Sequence, residues 1–132
     1  MLLYLPIYEI LQSQDWKITC EYAMKEKKRR GDSRRIDFLI EKDNVVVAIE
    51  VKFIKRLQNR GKAEIKSDVE KINSLRNEFP DKDYYPCILL IGVPAKGEDK
   101  FNQVDEICHR QYTQHFKTDR TNYCVEVLLV KE

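Results

Sequence analysis

Two runs of strand-forming residues, 35–41 (RIDFLIE) and 45–54 (VVVAIEVKFI), are separated only by Lys42, Asp43 and Asn44. β-Branched side chains suit a pleated surface, and Asp and Asn tolerate the left-handed angles of a tight turn. The pattern predicts a hairpin with a two-residue turn at Asp43-Asn44. Such a turn fixes the register: Lys42 faces Val45, and counting back along both strands places Asp37 opposite Glu50. Side chains alternate along a strand, so Glu50 and Lys52 share one face. Ile49, Val51 and Phe53 take the other, where they can pack on a helix.

The rest of the chain is read around this hairpin. Residues 3–14 form a first helix, with Pro6 tolerated in its first turn and Ile7, Ile10 and Leu11 at helical spacing. Residues 16–24 alternate as a strand. Residues 62–79 form a helix whose apolar stripe is Ile65, Val69, Ile72, Leu75 and Phe79, closed by Pro80 and Asp81. The apolar run 87–92 is a buried strand, 99–115 a weaker amphipathic helix and 123–130 a last strand, for which an ordinary edge or internal strand is favoured over a dimer edge. The order is α, three strands, α, β, α, β. It predicts an α/β fold, a mixed sheet with helices on both faces, in one domain spanning residues 1–132.

Composition narrows the class. Apolar residues are 42% and charged residues 35% of the chain, which fits a soluble globular protein rather than a disordered or membrane one. The apolar opening MLLYLPIYEIL contains Glu9 and is too short to span a bilayer. Cys20, Cys87, Cys108 and Cys124 form no CxxC pattern and read as reduced thiols of a cytoplasmic protein. His109 and His115 are six residues apart, which is not a ligand spacing for one helix face.

Charge is distributed unevenly. Residues 25–35 carry a net +5 and residues 52–62 another +5, whereas the whole chain is +2, so everything outside these runs sums to −8. Basic segments on an acidic body suit a protein that places phosphates at one location. Lys28, Arg29, Arg30, Arg34, Arg35, Lys55 and Arg56 are the candidate phosphate contacts. Solvated turns are the plainer reading of either run alone; two runs flanking one hairpin favour the functional one.

The hairpin carries the chemistry. Cross-strand neighbours have Cβ atoms roughly 4.5–5.5 Å apart. Two carboxylates that close repel unless a cation lies between them or one takes a proton. Hard divalent ions such as Mg²⁺ prefer carboxylate oxygens and keep several waters, which leaves room for a substrate phosphate. Lys52, on the same face, can position an attacking water or offset charge in the transition state. An ordinary exposed ion pair is the alternative, but Leu39, Val46 and Ala48 beside these charges are apolar.

Arg35-Ile-Asp37, twelve residues, then Glu50-Val-Lys52 resembles the core motif of the PD-(D/E)XK nuclease superfamily. The resemblance covers most of the chain, with Ile36 standing where the motif has proline. It implies a restriction-endonuclease-like fold, an α-β-β-β-α-β core plus a C-terminal α-β. It also implies a metal held by Asp37, Glu50 and the Val51 main-chain carbonyl, with Lys52 catalytic. A further acidic ligand is implied from the first helix, Glu9, with Glu21 as its competitor. Lys62 and Lys66, on the helix after the ExK strand, become candidates to hold phosphate, a solvated helix flank being the alternative.

Three functions follow as expectations. The first is a Mg²⁺-dependent endonuclease hydrolysing DNA phosphodiesters in defence, recombination or repair, with Mn²⁺ able to substitute and RNA left open as substrate. The second is a resolvase of Holliday junctions and other branched DNA, which requires a symmetric homodimer. The third is a non-catalytic nucleic-acid-binding module on a nuclease fold, which the intact Asp37, Glu50 and Lys52 argue against. A domain this small can take its targeting from a partner protein, and no membrane partner is expected. Tyr84-Tyr85 cap an apolar strand rather than form a base-stacking platform.

Overall fold

A computed structural model describes residues 8–10, 12, 14–27, 33–54, 59–94 and 97–132. Three antiparallel strands come first: β1 (Lys17–Lys27), β2 (Ser33–Lys42) and β3 (Val45–Ile54). Helix α1 (Asn59–Ser74) continues as a 3-10 turn, Leu75–Glu78, and leads into β4 (Asp83–Gly92), which lies parallel to β3. Strands β5 (Cys108–Lys117) and β6 (Asn122–Val130) form a closing hairpin. The result is a mixed α/β fold with one six-stranded sheet ordered β1-β2-β3-β4-β6-β5.

The β2–β3 hairpin has the expected register, from Lys42↔Val45 to Phe38↔Ile49, and Asp43 takes the left-handed φ of 53° in its turn. The α1 stripe is also as expected. Ile65, Val69, Ile72 and Leu75 are buried with Val46, Ala48, Ile88, Leu90 and Leu128, and Phe79 packs against that cluster. Apolar burial of this kind is worth about 25 cal/mol per Å² removed from water, so these contacts hold α1 on the sheet. At the far end of α1, Glu78 accepts from the Tyr22 hydroxyl at 2.8 Å and from the Lys25 main-chain N–H at 2.9 Å, pinning β1 to the helix.

One expectation is corrected. The segment 99–115 is not a helix; it holds a short 3-10 turn, Asn102–Val104, and most of strand β5. A register shift between Arg110 and Tyr112 breaks the two-residue alternation, which is why the strand hides in the sequence. Of the readings open for 123–130, the internal strand holds: β6 lies between β4 and β5, which removes the dimer edge. Helix α1 packs on the face that carries Glu50 and Lys52, so it is not the helix on which Ile49, Val51 and Phe53 can pack. On that other face the described residues offer only the helical stretch 8–10 and 12, where Ile10, Val47, Ile49 and Leu89 border an apolar cleft of about 360 Å³.

Strands β3 and β4 end together, at Ile54↔Gly92. A Cβ added to Gly92 would lie 1.8 Å from the Ile54 carbonyl oxygen, so only glycine fits there. The same carbonyl accepts the Val93 main-chain N–H at 3.1 Å.

A candidate carboxylate–lysine active site

The β2–β3 ladder stops at Phe38↔Ile49, and the next residues on each strand are Asp37 and Glu50. Their side chains take over from the ladder. The Asp37 main-chain N–H donates to Glu50 Oε1 at 3.0 Å, and the Val51 N–H donates to Asp37 Oδ2 at 2.8 Å. Each carboxylate therefore accepts a backbone donor of the opposing strand, which fixes both where the strands part. In an extended strand the N–H and C=O of one residue point to the same side. Since the Val51 N–H faces Asp37, its carbonyl faces the same gap.

Helix α1 closes the site from above with two residues one turn apart. Lys71 Nζ lies 3.0 Å from Glu50 Oε2, and Asp68 Oδ2 lies 2.9 Å from Lys52 Nζ. Lys71 and Asp68 also approach each other, at 3.9 Å. The outcome is a linked row, Asp37–Glu50–Lys71–Asp68–Lys52, of three carboxylates and two ammonium groups. Glu50 is only 6% exposed. Burial raises its pKa, the Asp37 charge adds to that, and Lys71 with the Asp37 N–H pulls partly the other way. For Lys52, burial works to lower the pKa, but the bond and charge of Asp68, then Glu64 and Glu50, outweigh it and hold the ammonium above its ordinary value. Lys52 is thus a proton-bearing hydrogen-bond donor rather than a base.

Asp37, Glu50 and Lys52 come together as expected. Glu9 is exposed, and Glu21 is exposed, at φ 51°, and 3.8 Å from Arg35. Among the described residues no third acidic side chain completes a metal-holding group, so neither glutamate joins the pair there. Arg34 is half-buried, while Arg35 and Lys66 are exposed. Lys28, Arg29, Arg30, Lys55 and Arg56 lie outside the described residues, as does the side chain of Lys62. Sequence reasoning missed Asp68 and Lys71; the available signal was a pair of charges at i, i+3 bordering the buried stripe of Val69 and Ile72.

The donor set fits a hard divalent ion. Asp37, Glu50 and the Val51 carbonyl offer only oxygen, and an ion that retains several waters needs few protein ligands. Burial first, and then the Asp37 charge, raise the Glu50 pKa, and Lys71 offsets them only in part.

Sequence comparison finds no matching family model and no matching curated protein.

Proposed function

We propose that this chain is a Mg²⁺-dependent nuclease of the PD-(D/E)XK type, cutting nucleic-acid phosphodiesters at the site bounded by Asp37, Glu50 and Lys52. The observation that carries the reading is the exchange of backbone hydrogen bonds between the Asp37 and Glu50 carboxylates where β2 and β3 part, with Lys52 two residues further on. DNA is the proposed substrate, and cytoplasmic action in defence, recombination or repair the proposed setting. No helix among the described residues is long and apolar enough to cross a membrane.

Asp37, Glu50 and the Val51 carbonyl would hold the ion. Held there, the ion would supply Lewis acidity toward a phosphoryl oxygen and toward the attacking water. Hydrolysis joins a water oxygen to phosphorus and releases one ester oxygen as an alcohol. Lys52 donates to the phosphoryl oxygen on which negative charge grows, and Asp68 holds that ammonium in position. Lys71 fixes the orientation of Glu50 through its second oxygen.

One feature favours a second reading. Lys71 already supplies Glu50 with an internal cation, which suits a binding module that dispenses with the metal. The test is cleavage of supercoiled, linear, single-stranded and four-way-junction DNA with Mg²⁺, Mn²⁺ or EDTA, wild type beside Lys52→Ala. Metal-dependent cutting lost in Lys52→Ala supports the nuclease, and preference for the junction would mark a resolvase. Binding that persists in EDTA without cutting of any substrate supports the module.

A further inference from the structure

Where β3 and β4 end, the chain builds a second concavity. The β5–β6 hairpin and residues 93, 94 and 97–99 line a cavity of about 790 Å³, within the range that holds a small organic ligand. The strand register ties it to the candidate active site. Lys52 pairs with Leu90 on β4; two residues on, Gly92 pairs with Cys124, and Cys124 pairs with the cavity-lining His115. Three strand spacings across and two residues along place His115 about 15 Å from Lys52; Phe116 and Tyr123, one residue further on each strand, belong to the opposite face of the sheet, so a strand joining the two sites would pass around the sheet's end.

The lining has a specific chemistry. Phe116 and Tyr123 face each other across the hairpin, with ring centroids 5.1 Å apart and planes 13° from parallel. Phe116 is 45% exposed, although an aromatic ring of that size is usually buried where it can be. Lys117 and Arg120, both exposed, flank the pair at the turn, which the Thr118 N–H closes on the Thr121 carbonyl at 3.0 Å. Glu98 and Asp99 also line the cavity, where their carboxylates offer oxygen acceptors to base N–H groups. A flat π-face beside an anion site is the combined signature of a nucleotide. A fully paired duplex keeps its bases stacked on one another and cannot present that face.

We propose that this cavity receives an unpaired nucleotide of a nucleic-acid strand, its base against Phe116 and Tyr123 and its phosphate beside Lys117 and Arg120. The proposal rests on the nuclease reading only for the course of the strand toward Lys52.

The test is fluorescence anisotropy in EDTA with a labelled short single-stranded DNA, the same sequence as RNA and the same sequence as blunt duplex, with GMP as competitor. Wild type should bind the single strands tighter than the duplex. Phe116→Ala should weaken single-strand binding about tenfold, the usual effect of losing one base–aromatic stack. Arg120→Glu, a substitution at an exposed turn position, is the second variant and should weaken it comparably. Tyr85→Ala, an exposed aromatic at the other end of β4, should change nothing. Displacement by GMP would show that the cavity takes a free nucleotide as well as a strand, and the DNA–RNA comparison identifies the preferred backbone. Equal binding of duplex and single strand, or single-strand binding untouched by both Phe116→Ala and Arg120→Glu, overturns the proposal. A chain that binds in this way yet never cuts overturns the nuclease reading and leaves the pocket standing.

Discussion

Lys71 of α1 reaches across to the sheet and sets its ammonium 3.0 Å from Glu50 Oε2, while Glu50 Oε1 is taken by the Asp37 main-chain N–H. Both oxygens of a nearly buried carboxylate are thus held by groups that no local sequence rule connects. The arrangement makes Glu50 dependent on Lys71 for its charged form. Lys71→Met should therefore destabilise the fold by about 1–3 kcal/mol at neutral pH, less than for a fully buried pair because Lys71 keeps some exposure. Urea unfolding of the two proteins checks the value. The difference should shrink in acid, where a protonated Glu50 no longer needs its partner.

Glu50 also sets a pH dependence. Its folded-state pKa lies above the ordinary 4.5, so between 4.5 and the raised value the folded chain binds more protons than the unfolded one. Its contribution to stability is full below 4.5 and is lost as pH rises through the folded-state pKa. Glu50→Gln should remove this slope from a plot of unfolding free energy against pH. Ion binding runs the other way: Mg²⁺ should bind more tightly as pH rises, releasing protons, which calorimetry in buffers of different ionisation enthalpy reads directly.

Asp68 acts through Lys52, which it meets at 2.9 Å. Asp68→Asn keeps the shape but removes the charge that holds the ammonium. Cleavage should fall 10–100-fold, the usual range for a group that orients a catalytic or metal-binding partner. The alkaline limb of the pH–rate profile should move to lower pH, because burial then works on Lys52 with less opposition. An unchanged limb would show that Asp68 contributes packing alone.

Gly92→Ala tests the meeting of β3 and β4. The added methyl would sit 1.8 Å from the Ile54 carbonyl oxygen, so one strand must move. A loss of about 1–3 kcal/mol is expected, by analogy with overpacked cores, measurable as a lower thermal midpoint.

The hairpin was legible because a two-residue turn and strict alternation leave one register, and that register alone brings Asp37 beside Glu50. Strand β5 was not. Its register shift puts Arg110 and Thr113, three residues apart, on the same partner, the wholly buried Glu126. A charge at the centre of a sheet also defeats the rule that charged residues lie outside, and the Phe101 N–H and the Arg110 guanidinium that satisfy it come from distant positions. Asp68 and Lys71 stayed hidden for a related reason: their roles arise only when α1 is laid over β3. Phe116 and Tyr123, seven residues apart, become a stack only through the hairpin that joins them.

The Asp43-Asn44 turn lies six residues from Asp37, about 20 Å along the strand. Its length nevertheless acts as a gauge for the carboxylates. One residue added there, with a two-residue turn re-formed, would slip β2 against β3 by a single position and send every side chain of one strand to the other face. Asp37 and Glu50 would then stand on opposite sides of the sheet, with neither strand having lost a residue. Freedom to vary this exposed loop is accordingly limited by chemistry at the far end of the hairpin: an inserted residue must stay within the turn and leave the strand register as it is.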